Sequence, residues 1–223
     1  MKSLFKTGLL LTAVVFLFTL VIGVQSAAAA KPSKTVIVWN GDDIATGQGW
    51  ASPEMTNKIT KSSIAPDAGT GVDGTASLKW TAIGPEWSGF GWNWFGWWPS
   101  DAGTDVSKMT RLVFKIKVVA TSPDKLPPVD AFNVKLGCSG NGQKGTDTLP
   151  IANYEPAFAD GQWHDIAVPL ADFYALPKSA DFDKKTAWEF DVGQWSQNNC
   201  NFVVYFDNIG FDAAKVAKAK KKK

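Results

Sequence analysis

From Thr35 onward, short runs of β-branched and aromatic residues alternate with clusters of Gly, Pro, Asp and Asn. This alternation is typical of an all-β sandwich. Before the final residues, no long segment repeats its apolar positions with the period of a helix, and only a short helical turn is expected, at 170–174. We predict a jelly-roll β-sandwich of two antiparallel sheets, with strands near 35–40, 74–82, 88–95, 110–119, 131–137, 163–168, 187–192 and 202–211.

The stretch WSGFGWNWFGWW, at 87–98, holds five of the eleven tryptophans. Because side chains alternate across a strand, Phe90, Trp92 and Trp94 should face the core. The opposite face would carry glycines together with Trp87 and Asn93, and glycine in a strand often marks close approach by a ligand. Trp97 and Trp98 should begin a loop. We therefore expect a binding surface built around Trp87, Trp97 and Trp98, with packing in an aromatic core as the alternative.

The first thirty residues resemble a secretory signal. Two lysines precede an apolar run at 9–24, and small residues follow before Lys31, as at a signal-peptidase site. The run is shorter than a typical spanning helix, so an uncleaved membrane helix is the less favoured alternative. We predict a cleaved signal peptide at 1–30, a single domain at 31–214, and a secreted protein, extracellular or periplasmic, without membrane insertion.

Charge is unevenly distributed along the chain. The net charge is +2, yet positions 31–214 hold fifteen Lys and Arg against twenty-one Asp and Glu, and the tail at 215–223 holds six lysines. An acidic domain argues against nucleic acid as the ligand, because phosphate contacts need clustered basic residues. The tail is expected to be an extension that either contacts anionic surfaces or has no partner.

The two cysteines, Cys138 and Cys200, are an even number in a chain expected to be exported. In an oxidising compartment this favours a disulfide, and both residues lie at the ends of predicted strands. Two buried free thiols are the alternative.

Seven motifs occur in an order that resembles a known family: VIVWNGDDIATGQGW, GTASLKW, EWSGFGWNW, SKMTRLVFKIKV, AFNVKLG, DGQWHDIAVPLADF and VVYFDNIGF. They resemble the non-catalytic carbohydrate-binding modules with a galactose-binding-domain-like jelly roll that are attached to secreted glycoside hydrolases. The resemblance runs over nearly the whole domain. It implies a monomeric protein that binds a polysaccharide, and we expect it to stand alone rather than fused to an enzyme.

The resemblance also implies a structural calcium ion. In such modules an acidic residue of the closing strand often helps to hold the ion, and the matching position is Asp207. Asp42, Asp43 and Asp73 are the candidate partners, since calcium takes six to eight oxygen ligands. Solvated aspartates in turns are the alternative, and it is the favoured one for Asp42 and Asp73 taken singly. This chain departs from the family pattern at its start, where NGDDI replaces a commonly seen glutamate.

Modules of this kind usually bind sugar on a concave face or at loops on one edge. Indole rings stack on the C–H patches of pyranose rings and amides bind their hydroxyls, in line with apolar walls carrying a few placed polar groups. Asn133 and Lys135 could line the same face. The candidate carbohydrate-binding residues are Trp50, Trp87, Asn93, Trp97, Trp98, Gln194 and Trp195.

A jelly-roll glycosidase or polysaccharide lyase is the main alternative. It would need two carboxylates across a cleft, and the best pair is Glu189 with Asp191, which share one face of a predicted strand. The ordinary alternation of a half-exposed strand is the favoured explanation of that pair. His164 is the single histidine, without a nucleophile motif nearby, and no catalytic residue is assigned. A surface or matrix protein that uses the same fold for protein contacts is a third possibility.

Overall fold

The computed structural model describes residues 34–41, 47–52, 61–96, 103–138, 144–195 and 199–215. The chain divides into two compact units, 1–31 and 32–223, and every described residue belongs to the second. The predicted signal peptide and all of the basic tail except Lys215 therefore lie outside the described residues. Across the part of the chain that is described, no helix has the length and apolar character needed to cross a bilayer.

Two antiparallel sheets form a sandwich, as predicted. In the six-stranded sheet the order is β3-β4-β11-β6-β9, and β1 also pairs with β11; the five-stranded sheet has the order β2-β5-β10-β7-β8. Among the described residues one α-helix occurs, α1 (Leu170–Tyr174), which follows β9 where a helical turn was expected. The strands are β1 (Thr35–Trp39), β2 (Gln48–Ser52), β3 (Lys61–Asp67), β4 (Ser77–Gly84), β5 (Ser88–Asn93), β6 (Arg111–Ala120), β7 (Phe132–Cys138), β8 (Leu149–Pro150), β9 (His164–Pro169), β10 (Ala187–Gln194) and β11 (Cys200–Asp212).

Aromatic side chains fill the space between the sheets. Trp80 of β4 lies 5.4 Å from Phe90 of β5 and 5.1 Å from Phe202 of β11, measured between ring centroids. Phe190 and Phe206 continue the cluster at 5.5 Å from each other. All five rings are fully buried, and mixed edge-on and tilted contacts of this kind add to the stabilisation from burial alone.

The predicted inward face of the tryptophan-rich strand is confirmed. Phe90, Trp92 and Trp94 are buried in the core. The indole nitrogen of Trp94 donates to the Thr104 hydroxyl at 3.2 Å, which satisfies its polar atom. Period-two alternation therefore assigns the two faces of β5 correctly.

The predicted disulfide is wrong: Cys138 and Cys200 are both buried, and no disulfide joins them. Phe132, at the start of β7, packs 5.4 Å from Phe202, close to Cys200. Cys138 ends the same strand, six residues farther on, which is roughly 20 Å at the rise of a strand. The thiols thus lie near opposite ends of the sandwich, whereas a disulfide requires Cα atoms about 4.4–6.8 Å apart.

Candidate functional site

The side of the five-stranded sheet that points away from the core is called the outer face here. Four neighbouring strands contribute to it, and because Phe90, Phe190 and Val192 point inward, their alternate neighbours point outward. Strand pairing aligns these positions in three rows across β2, β5, β10 and β7. The rows are Gln48, Asn93, Glu189 and Gly137; Trp50, Gly91, Asp191 and Lys135; and Ser52, Gly89, Gly193 and Asn133.

Trp50 crosses from the edge strand to the middle of the outer face. It is paired with Gly91 on β5, and its indole nitrogen donates a 2.7 Å hydrogen bond to Glu189 Oε1 on β10, the next strand. A methyl group on Gly91 would collide with that nitrogen. The indole therefore extends over Gly91, and glycine is required there because no side chain fits beneath the ring.

Trp87 lies across two other glycines, Gly89 and Gly193. Its Cζ2 atom is 2.9 Å from the position that a Cβ on Gly89 would take, and its Nε1 atom is 3.3 Å from the equivalent position on Gly193. The ring of Trp195 packs against that of Trp87 in a tilted arrangement, with 5.5 Å between ring centroids. Trp195 is 61% exposed, so this end of the outer face presents aromatic surface to solvent.

Two carboxylates and a lysine occupy the centre of the outer face. Lys135 Nζ lies 3.0 Å from Asp191 Oδ2, and Asp191 is only 3% exposed. Burial, followed by the negative charge of Glu189, raises the pKa of Asp191 well above its usual value, while Lys135 opposes the shift. For Lys135, burial lowers the pKa, but the Asp191 and Glu189 charges outweigh it and the net shift is upward.

Most of the predicted carbohydrate-binding residues that the structure describes lie on the outer face. The structure brings Trp50, Trp87 and Trp195 to one face, together with Asn133 and Lys135. Asn93 shares that face but is 1% exposed, and its amide has no hydrogen-bond partner among the described residues. Trp97 and Trp98 lie outside the described residues.

Gln194 is not brought to the outer face. It is 1% exposed and points inward, where its amide nitrogen donates to the Glu86 carbonyl at 2.9 Å and to the Ser88 hydroxyl at 3.2 Å. The side chain therefore ties the end of β10 to the start of β5. Sequence alternation could have indicated this orientation, because Gln194 shares its parity with the buried Phe190 and Val192.

The acidic residues proposed for calcium are only partly described. Asp42 and Asp43 lie outside the described residues, and Asp73 is exposed. Asp207 is buried, and its carboxylate accepts hydrogen bonds from the Val72 and Asn208 backbone amides at 2.8 and 2.7 Å. Within the described ranges, no three His, Cys, Asp or Glu side chains cluster closely enough to hold a metal.

Comparison with known families identifies the chain. Residues 35–213 match the family described as Carbohydrate binding domain 30, a match that spans the whole sandwich. The chain belongs to that family. Its domain is thus a non-catalytic carbohydrate-binding module, and Glu189 and Asp191 are not an acid–base pair of a hydrolase.

Solved structures show that this family 30 module shares its fold with other such modules. A family 30 module of a cellulosomal cellulase from Clostridium thermocellum is 15% identical, with a TM-score of 0.57 and coverage of 84% of this chain and 99% of that one. Another family 30 module is 17% identical, with a TM-score of 0.58 and coverage of 84% and 93%. The Clostridium thermocellum family 11 module, solved with a β-1,3-1,4-mixed-linked tetrasaccharide, is 16% identical, with a TM-score of 0.52 and coverage of 85% and 100%. No curated protein sequence matches the chain.

Proposed function

We propose that the outer face of the five-stranded sheet binds a polysaccharide chain, and that the protein does so outside the cell. One observation carries the proposal: the indoles of Trp50 and Trp87 lie across glycines in adjacent rows of the same face. The rows are two residues apart, or about 7 Å along the strands. Neighbouring sugar units of one chain would stack on these indoles and on Trp195.

Polar groups on the face suit a neutral glycan. Glu189, Lys135 and Asn133 stand beside the indoles, and their oxygen and nitrogen atoms can accept from or donate to sugar hydroxyls. This combination of apolar ring surface with a few placed polar groups is typical of ligand sites. Because the family 11 module is solved with a mixed-linked β-glucan fragment, mixed-linked β-1,3-1,4-glucan is the first ligand to test.

Secretion is supported by the N-terminal sequence. A basic start, an apolar run and an alanine-rich end precede Lys31, which is the pattern of a secretory signal peptide. N-terminal sequencing of the protein recovered from the culture medium would test this part. A mature start close to Lys31 is expected, and retention of the full leader in the cell fraction would contradict it.

The binding experiment is affinity gel electrophoresis in gels containing mixed-linked β-glucan. Wild-type domain should be retarded, and Trp50→Ala should lose roughly tenfold or more in affinity, because stacking and the ring's buried area are both lost. Tyr205→Ala is the matched control, since Tyr205 lies on the outer side of the other sheet, between Lys79 and Lys117. Equal retardation of all three proteins would refute the face, and absence of retardation by any soluble glucan would refute the ligand class.

A calcium ion beside Asp207 is a second part of the proposal. Burial, and then the charge of Asp73, raise the pKa of Asp207, while the Val72 and Asn208 amides oppose the shift. No described residue forms an ion pair with Asp207, so its buried charge would be relieved by a cation. Gly41, the residue before Asp42 in the sequence, packs against the Ala76 carbonyl, at the end of the turn whose Val72 amide contacts Asp207. The ion would add structural stability, as oxygen-ligated calcium does elsewhere.

A further inference from the structure

The contacts above Gly91 go beyond sugar stacking. A methyl group at this position would collide with three polar atoms from two other strands: Trp50 Nε1, Asp191 Oδ1 and Glu189 Oε1. Trp50 thus reaches a pair of carboxylates that are two residues apart on one strand and face the same side. Such an arrangement couples the position of an aromatic ring to the protonation of a carboxylate pair.

Charge around this cluster is restricted to three side chains. Among the described residues, β10 contributes Glu189 and Asp191, and β7 contributes Lys135. The neighbouring positions on β5 and β2 are Gly91, Asn93, Gln48 and Trp50, none of which carries charge. With both carboxylates ionised the cluster has a net charge of −1, and with one proton added it is neutral.

Asp191 has no aligned hydrogen-bond donor. Lys135 Nζ is 3.0 Å from Oδ2, yet neither oxygen of Asp191 has a partner that meets hydrogen-bond geometry within the described part of the chain. Burial disfavours the ionised form of Asp191, and the charge of Lys135 offsets this only in part. Two carboxylates that share a site seldom ionise together, and one of them holds a proton to unusually high pH.

We propose that Glu189 and Asp191 are positioning residues that hold the Trp50 indole over Gly91, and that glycan binding raises the proton occupancy of Asp191, the buried member of the pair. This inference rests on the proposed function of the outer face. A sugar stacked on Trp50 removes water from the cluster beneath it. Desolvation disfavours the doubly ionised pair, so the complex holds the proton more tightly than the free protein. The pKa is therefore higher in the complex than in the free protein. Between these two pKa values, affinity rises as the pH falls.

The positioning role is tested without glycan, by NMR of the domain with ¹⁵N-labelled tryptophan. The Trp50 indole signal is assigned from Trp50→Phe and followed from about pH 4 to about pH 9, a range that includes the pKa values documented for buried carboxylates. We expect this signal to titrate, to shift strongly in Glu189→Ala, and to be largely retained in Glu189→Gln, whose amide oxygen can accept the same hydrogen bond. A Trp50 signal that neither titrates nor responds to Glu189→Ala would overturn the proposal.

The proton uptake is tested by isothermal titration calorimetry with soluble mixed-linked β-glucan, in two buffers of different ionisation enthalpy. On binding, the wild-type domain should take up at most one proton. Its Kd should rise by up to about tenfold for each unit of rising pH, between the pKa in the free protein and the higher pKa in the complex. Asp191→Asn fixes the cluster in its neutral state, so its proton uptake and pH dependence should vanish. Asp165→Asn, which breaks a carboxylate–lysine pair with Lys115 on the other sheet, should behave as wild type.

The outcomes distinguish a failure of the proton linkage from a failure of glucan binding. Glucan binding with no proton uptake and a pH-independent Kd would overturn the linkage while the binding function stands. If no glucan binds at any pH, the proposed function fails. The NMR titration alone then decides whether Glu189 and Asp191 position Trp50.

Discussion

The rings of Trp87 and Trp195 pack in a tilted arrangement, with 5.5 Å between centroids and an interplanar angle of 42°. Trp87 precedes β5 and Trp195 follows β10, so the pairing of these two strands creates the contact. Trp195 provides the exposed part of the pair, and Trp87 supports it over Gly89 and Gly193. Together with Trp50, the pair therefore supplies the aromatic surface of the outer face, and it lies at one end of that surface.

Trp195→Ala should weaken glucan binding at nearly unchanged stability. Its ring is mostly exposed, and exposed substitutions usually change stability by no more than about 0.5 kcal/mol. Losing one stacking ring should cost about 1 kcal/mol of binding free energy, or nearly tenfold in Kd. Calorimetry with glucan, together with thermal unfolding, checks both values. Unchanged affinity would exclude Trp195 from the site.

Gly91→Ala should weaken binding and lower stability together. The added methyl group would push aside Trp50, Glu189 and Asp191 at once, and overpacking of this kind typically costs about 1–3 kcal/mol. Circular dichroism melts and gel retardation measure the two effects. A fully stable variant with normal binding would show that Trp50 does not lie over this residue.

Gln194→Ala should destabilise the domain without removing glucan binding. The substitution removes the two hydrogen bonds that the Gln194 amide donates to the Glu86 carbonyl and the Ser88 hydroxyl, and each such bond contributes about 0.5–1.5 kcal/mol. Urea unfolding and calorimetry at a temperature where the variant is folded would measure this. A selective loss of affinity at full stability would instead restore Gln194 as a binding residue.

Asp191→Asn should become more stable relative to wild type as the pH rises. Asp191 has a raised pKa in the folded state, so the folded protein binds its proton more tightly than the unfolded chain. The wild type loses this stabilisation as the pH rises from the usual carboxyl value of 3.8 through the raised value, and the variant does not. Chemical unfolding across that range would test the trend, and a constant stability difference would contradict it.

Chelation should lower the melting temperature if calcium binds beside Asp207. A ligand that binds only the folded state stabilises it by RT ln(1 + [L]/Kd), so added calcium should raise the melting temperature of stripped protein in a concentration-dependent way. Asp207→Asn should abolish the response. Identical melting curves with EDTA and with calcium would exclude the site.

Most of the fold follows from the sequence pattern. All eight predicted strands are present, with ends shifted by three residues at most, because their β-branched and aromatic residues alternate clearly. Three edge strands were not predicted: β2, β3 and the two-residue β8. QGWAS has few strand-forming residues and KSSIAPD contains Pro66, which is tolerated there because the strand lies at the edge of its sheet.

The binding face was harder to predict than the fold. Alternation identified the glycines of β5 and the indole of Trp87, but it could not show that Trp50 reaches Glu189 from a strand that was itself missed. The burial of Asp191 depends on Trp50, Lys135 and Glu189 coming together across four strands. Such long-range pairing is set by the sheet register, which a local pattern does not specify.

The wide separation of Cys138 and Cys200 has a practical consequence. The chain has two cysteines and forms no disulfide between them, so the described fold needs neither an oxidant nor a disulfide isomerase. The sandwich is held by its apolar interior and by strand pairing, so we expect the domain to fold in a reducing cytosol. It could be joined to other proteins there as a glycan-binding fusion tag without risk of mispaired bridges.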